Sequence, residues 1–235
     1  IDGITTSEVS MAAAAVKVTS NIDKTKLDTL RGDTTGTVTV ADITEDKTDL
    51  AAIKLLADVD LKTANITVSD NVNKAEAETI DGYNSTSGTV TLSTVTDTFA
   101  NIKLLLEDTS ISIASAAVTV TNAASLANAF AINGFTTGQV TLNSVEDTYA
   151  KIQDIKSIPD GQVDMGAAAV KVTNNVTKTE VDDLRTDTTG DITLTSLTED
   201  KGDLATINGF TDVILSLSLI HISEPTRRRG IAYAV

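Results

Sequence analysis

Gly36, Gly88, Gly138 and Gly190 stand 52, 50 and 52 residues apart, each directly after Thr35, Ser87, Thr137 or Thr189. Each opens an apolar alternation: Val38/Val40, Val90/Leu92, Val140/Leu142 and Ile192/Leu194. Self-similarity at this period confines a chain to repeat architectures, in which one unit buries its apolar face against the next. Repetition sets shape and reach; it says little about chemistry.

Further anchors keep the same register. Val16/Val18, Ile66/Val68, Val118/Val120 and Val170/Val172 read as short strands by their period of two. Leu30, Ile80, Ile132 and Leu184 each follow 12 residues after the second member. Val9/Met11, Val59/Leu61, Ile111/Ile113 and Val163/Met165 form a third set of pairs. The first and fourth copies agree at about 23 of 38 positions between Val16–Ile53 and Val170–Ile207, which points to a higher-order duplication.

Two helices are expected in each unit. Asp23, Asn73, Ser125 and Thr177 carry the side-chain oxygens that accept from free N–H groups at a helix start. Ile22, Val72, Ala124 and Val176 precede them, and Leu27, Ala77, Ala129 and Val181 follow four residues later, as in a hydrophobic staple. Glu76 and Glu180 add a capping box. This helix is expected to run for about two turns. Gly32, Gly82 and Gly134 then stand where a left-handed cap is common. The second, longer helix is expected to carry Leu50/Ile53/Leu56, Phe99/Ile102/Leu105, Tyr149/Ile152/Ile155 and Leu204/Ile207/Phe210 on one face. Ala51, Ala100, Ala150 and Ala205 suggest a close helix–sheet approach. Asp46, Asp97, Asp147 and Asp200 suit the helix starts.

The unit therefore reads strand, short helix, strand, longer helix, short strand. Residues 62–65, 114–117 and 166–169 join units through links that favour a bent continuous strand over a hairpin. The expected fold is an α/β repeat solenoid with mostly parallel strands and right-handed crossovers. Tandem small α+β domains are the alternative, disfavoured because a unit this short with so few aromatics has little core of its own. A partial repeat occupies 1–11, repeats follow at 12–62, 63–115 and 116–166, and a truncated one at 167–216. Ile1-Asp2-Gly3 resembles Ile80-Asp81-Gly82, so the chain reads as a slice of something longer.

The cadence breaks after Leu215. The run from Leu217 to Arg227, and the stretch Ile231 to Val235, resemble the translated read-through of a DNA-sequencing adapter. That likeness implies a non-native tail at 217–235. The tail holds the only histidine, His221, and the run Arg227-Arg228-Arg229. Removing its three arginines and one glutamate leaves 15 basic and 32 acidic side chains, a formal charge of −17.

That charge argues against nucleic-acid binding, which needs clustered lysine and arginine. No apolar run is long enough to span a bilayer. Cysteine is absent, excluding disulfides and thiolate chemistry. Without a native histidine there is no Ser-His-Asp base and no His/Cys zinc site. The Thr-Gly turns precede strands and lack the lysine ending of a phosphate loop. Acidic residues recur at equivalent positions, so helix capping explains them better than paired-carboxylate catalysis. No catalytic, cofactor-binding or metal-ligating residue is therefore expected, and the chain reads as no enzyme. Weak calcium binding at Asp58/Asp60, or at Glu199-Asp200 with Asp203, is the residual expectation, although neither EF-hand nor β-roll spacing is present. Arg31-Gly32-Asp33 spells an adhesion tripeptide but reads as a helix-end turn, its fourth-copy counterpart being Arg185-Thr186-Asp187. The glycosylation-like triplets at Asn65, Asn84 and Asn175 are what a threonine-rich repeat generates by chance.

Val118-Thr119-Val120-Thr121, the alanine-rich segment from Ala123 to Ala131, and Thr136-Thr137-Gly138-Gln139-Val140-Thr141 resemble repeats of very long bacterial surface and secreted proteins, which often accompany calcium-binding β-roll secretion modules. The resemblance spans about residues 4–215 and rests on cadence and composition. It implies an extracellular stalk, adhesin or surface-layer-like spacer whose partners within the chain are its own neighbouring repeats. The external ligand stays open. The alternative is a carbohydrate-binding or carbohydrate-active solenoid, which would need aromatic platforms or a non-repeated carboxylate cluster.

Overall fold

The computed structural model describes residues 11–85, 87–158 and 162–216. The partial repeat before Met11 and the tail at 217–235 lie outside them. Twelve strands and eight helices alternate among the described residues. In chain order they are β1 (Val16–Ile22), α1 (Lys24–Asp33), β2 (Val38–Glu45), α2 (Lys47–Lys54), β3 (Val59–Asp60), β4 (Asn65–Val72) and α3 (Lys74–Asp81). Then follow β5 (Val90–Asp97), α4 (Phe99–Glu107), β6 (Ile111–Ser112), β7 (Ala117–Ala124), α5 (Leu126–Asn133), β8 (Val140–Asp147) and α6 (Tyr149–Lys156). The last are β9 (Val163–Asp164), β10 (Ala169–Val176), α7 (Lys178–Asp187), β11 (Ile192–Leu197), α8 (Lys201–Ile207) and β12 (Val213–Leu215).

The long strands form one open parallel sheet in the order β1-β2-β4-β5-β7-β8-β10-β11-β12. Neighbours in this sheet are consecutive strand–helix turns of the chain, so the fold is an α/β solenoid. Its elementary coil is one strand and one helix, and each ~51-residue repeat is two such coils.

Inward strand positions are filled in every coil: Val38, Val40 and Ile43; Ile66, Val68 and Val72; Val90, Leu92 and Val95. Helix pairs such as Leu50/Ile53, Ala77/Ile80 and Ile152/Ile155 close over them, and the buried residues form one continuous cluster. No repeat has a core of its own.

The sheet is also sheared. Ile66 pairs with Ile43 in β2 but with Val90 in β5, and Val95, five residues further along β5, pairs with Val118. Each repeat thus enters five residues further along the strand direction, about 16 Å for extended chain. The short strands β3, β6 and β9 pair with the half-strands left over. β3 and β4 both run parallel to β2, so the link between repeats keeps its direction. A tight turn interrupts it between the two strands, with the Ala64 amide donating to Leu61 O at 2.9 Å.

Several helix expectations need correction. The two helices of a unit do not differ in length by kind: α1 has 10 residues and α2 has 8. Counting from the strands puts Leu50 level with Ile102, and Lys47 level with Phe99. The trios expected in the first and fourth copies therefore lie one helical turn out of register with those of the second and third. Ala51, Ala100, Ala150 and Ala205 are all exposed and mediate no close approach. Gly82 and Gly134 end their helices in right-handed geometry, and Gly32 lies inside α1, so none is a left-handed cap.

Candidate functional surface

The polar groups that recur in each repeat converge on the seams between coils. One seam forms at the Thr-Gly turn. Thr34, Thr136 and Thr188 are buried, and their hydroxyls each donate at 2.6 Å to Ala14 O, Ala116 O and Ala168 O of the preceding coil. The same hydroxyls accept from the amides of Gly36, Gly138 and Gly190 at 2.9–3.0 Å. The second repeat has two extra residues here, and the buried Asn84 makes the reach instead, its Nδ2 donating to Ala64 O at 3.0 Å. The repeat-defining glycines are required by this approach. A Cβ on Gly36, Gly88, Gly138 or Gly190 would lie 2.2, 1.8, 2.1 or 2.3 Å from those same carbonyl oxygens.

The second seam runs along the helix N-termini. Asp23, Asn73, Ser125 and Thr177 cap their own helices as expected, and Asn73–Glu76 and Thr177–Glu180 complete capping boxes. Asp46 and Asp200 are caps as well. Asp97 and Asp147 are not; they precede the cap residues Thr98 and Thr148. Their second oxygens reach back one coil. Asp97 Oδ2 accepts from the Lys74 amide at 2.9 Å, and Asp147 Oδ2 from the Leu126 amide at 3.1 Å.

This link is general. The first amide of α1 donates to Glu45, of α2 to Asp70, of α4 to Asn122, of α6 to Asn174 and of α7 to Glu199. Seven successive helices are thus capped by a side chain of the following coil. Such a bond satisfies an orphan donor and sets negative charge or an oxygen dipole against the positive helix end. Burial by itself would raise the carboxyls of Asp97 and Asp147. The N–H groups of Lys74 and Thr98, and of Thr148 and Leu126, outweigh it and hold both below the usual range.

Candidate chemistry is absorbed in the same way. Asp58 takes Arg31 Nε and Nη2 at 2.8 and 2.9 Å, which holds its carboxyl below the ordinary value. Asp60 accepts from the Lys62 amide at 3.0 Å. Asp200 caps α8, and Glu199 belongs to the seam. Among the described residues, no group of three His, Cys, Asp or Glu side chains is placed to hold a metal ion. Arg31-Gly32-Asp33 lies in the last turn of α1 with its guanidinium committed to Asp58 and Asp28. Asn65 bonds Asp42 across the sheet, Asn84 is buried, and Asn175 accepts from Ser196 and Thr198. No described helix is long and apolar enough to cross a membrane.

Two aromatics of the third repeat are exposed. Phe130 and Phe135 are 49% and 57% exposed. Phe130 stands where the other copies have Asp28, Glu78 and Asp182, each of which pairs with a lysine one turn earlier.

No protein-family model, no curated protein and no solved structure matches this chain.

Proposed function

We propose that this chain is a non-catalytic spacer segment, a stretch of stalk from a large extracellular bacterial surface or secreted protein. The observation that carries the reading is the backward helix cap, repeated at seven successive coil junctions. Recurring polar side chains are used to join coil to coil, which suits a part whose task is length. The likeness in cadence and composition to long surface proteins supports the extracellular setting. Arrays of one, two and four repeats, measured by small-angle X-ray scattering, test the mechanical half. Maximum dimension should grow by a constant step of at least about 10 Å per repeat, two strand spacings. Protease shaving of intact cells carrying the full-length gene tests the location. An array that collapses to a constant size, or a segment protected from the protease, rejects the corresponding half.

Phe130 and Phe135 favour a second reading, carbohydrate binding, because an exposed aromatic face can stack on a sugar ring. A glycan array on the wild-type chain and on Phe130→Ala/Phe135→Ala separates the two: glycan signal lost in the variant supports binding, and no signal in either removes it.

A further inference from the structure

The links along the helix N-termini divide by chemistry. Within every repeat, where the second coil caps the first, the acceptor is a carboxylate: Glu45, Asp97, Asp147 and Glu199. Between repeats the acceptor is a carboxylate once, Asp70, and a carboxamide twice, Asn122 and Asn174. A carboxylate at a helix N-terminus makes a charge-assisted bond that protonation weakens; a carboxamide has no proton to gain in that range.

We infer that the solenoid carries a segmented response to acid: the helix-end links within a repeat loosen while those at Asn122 and Asn174 hold. The geometry makes Asp97 and Asp147 the centre of this response. Asp97 ties α3 to its own coil, accepting at once from Lys74 N, from Thr98 N at 2.7 Å and from Asn101 Nδ2 at 2.8 Å. Asp147 does the same for α5, accepting from Leu126 N and from Thr148 N at 2.8 Å. The charged groups facing them are Lys74, itself paired with Glu78, and Lys151 at 3.4 Å. The next strands place Val120 and Val172 beside them. Glu45 and Glu199 face Lys24 and Lys178 in the same manner. Protonating Asp97 removes the charge assistance from two amide bonds at once, one on each side of the coil boundary. The inference extends the spacer reading to how such a rod yields, but rests on the bonds alone.

Residue-resolved hydrogen exchange on the full chain tests it, as protection factors corrected for intrinsic pH dependence. Readings run from pH 6 down to the lowest pH at which far-UV circular dichroism stays native. Protection at Lys74 and Leu126 should fall about tenfold or more, the worth of one charge-assisted bond, while Phe99 and Tyr149 change less than twofold. Asp97→Asn/Asp147→Asn should remove the fall, and Asn122→Asp should transfer it to Phe99. Asp154→Asn, which removes an exposed carboxylate outside the seam, should change nothing. Loss of protection at all four amides together, global unfolding before any of them separates, or an unaltered fall in Asp97→Asn/Asp147→Asn overturns the inference.

Discussion

Gly138 and Ala116 sit so close that a Cβ on the glycine would lie 2.1 Å from the alanine carbonyl oxygen. The obstacle is backbone, the carbonyl just before β7, held by the Thr136 hydroxyl and by the Ala116 amide bond to Ile113 O, and it cannot swing aside. Gly138→Ala should therefore destabilise the chain by about 3 kcal/mol or more, the range of severe core substitutions. Gly32 is the control. It lies within α1 with nothing within 4 Å of its added Cβ, so Gly32→Ala should stabilise by about 0.5–1 kcal/mol. Urea unfolding of the two variants checks both signs. Equal effects from the two glycines would mean that the seam is not where the fold is specified.

The buried hydroxyl beside it supplies a second measurement. Thr136 donates to Ala116 O and accepts from Gly138 N, so one oxygen satisfies groups on two coils. Thr136→Val keeps the volume but strands a carbonyl and an amide, at about 1–3 kcal/mol for a buried unsatisfied group. Thr136→Ser keeps both bonds and should cost less than half as much. The Val–Ser difference in unfolding midpoint isolates the hydroxyl from the methyl group.

The repeat period, the strand pairs, the odd-helix caps and the parallel solenoid were all legible in the chain, because each depends on residue type at short spacing. Two things were not. The coil unit of one strand and one helix is masked because alternate coils use different apolar sets, Ala77/Ile80 in one helix and Ile102/Leu105 in the next. The partners of the acidic residues were hidden because Asp97 bonds a backbone amide 23 positions earlier, and backbone amides leave no trace in side-chain pattern. Acidic residues next to helix starts could be seen; that they serve the preceding helix could not. The slip of the second-helix trio has a simple cause: residues three apart share a face, so a one-turn error preserves the pattern.

Tyr149 offers a pH-dependent test at the α6–α7 contact. Its hydroxyl donates to Asp183 Oδ2 at 2.9 Å. Burial, and then the bond and charge of Asp183, push the phenol up to about 12 from an ordinary value of 10.0. The folded state therefore resists ionisation more than the unfolded state does. The corresponding stability is fully present below pH 10 and is lost as pH rises toward 12. Spectrophotometric titration of the three tyrosines should show one phenolate appearing late, and Asp183→Asn should bring it earlier. A late transition unmoved in Asp183→Asn would assign it to burial alone.

The shared core makes the sharpest demand. The third repeat contributes Val118, Val120, Ala129, Ile132, Val140 and Ile152 to a cluster that continues into the repeats on both sides. Cut out alone as residues 116–166, it would expose both sheet edges and lose the cap that Asn174 gives α6. In a nearest-neighbour chain each unit is unstable alone and each interface is favourable, so stability rises steeply over the first few units. The single repeat should show no cooperative thermal transition. Residues 63–166, with one restored interface, should show a weak one, and residues 12–216 a sharp one at higher temperature. Circular dichroism melts of the three give the per-interface term directly. A lone repeat that melts as cooperatively as the array would make the chain a string of small domains, and neither the shear nor the backward caps would then matter to its stability.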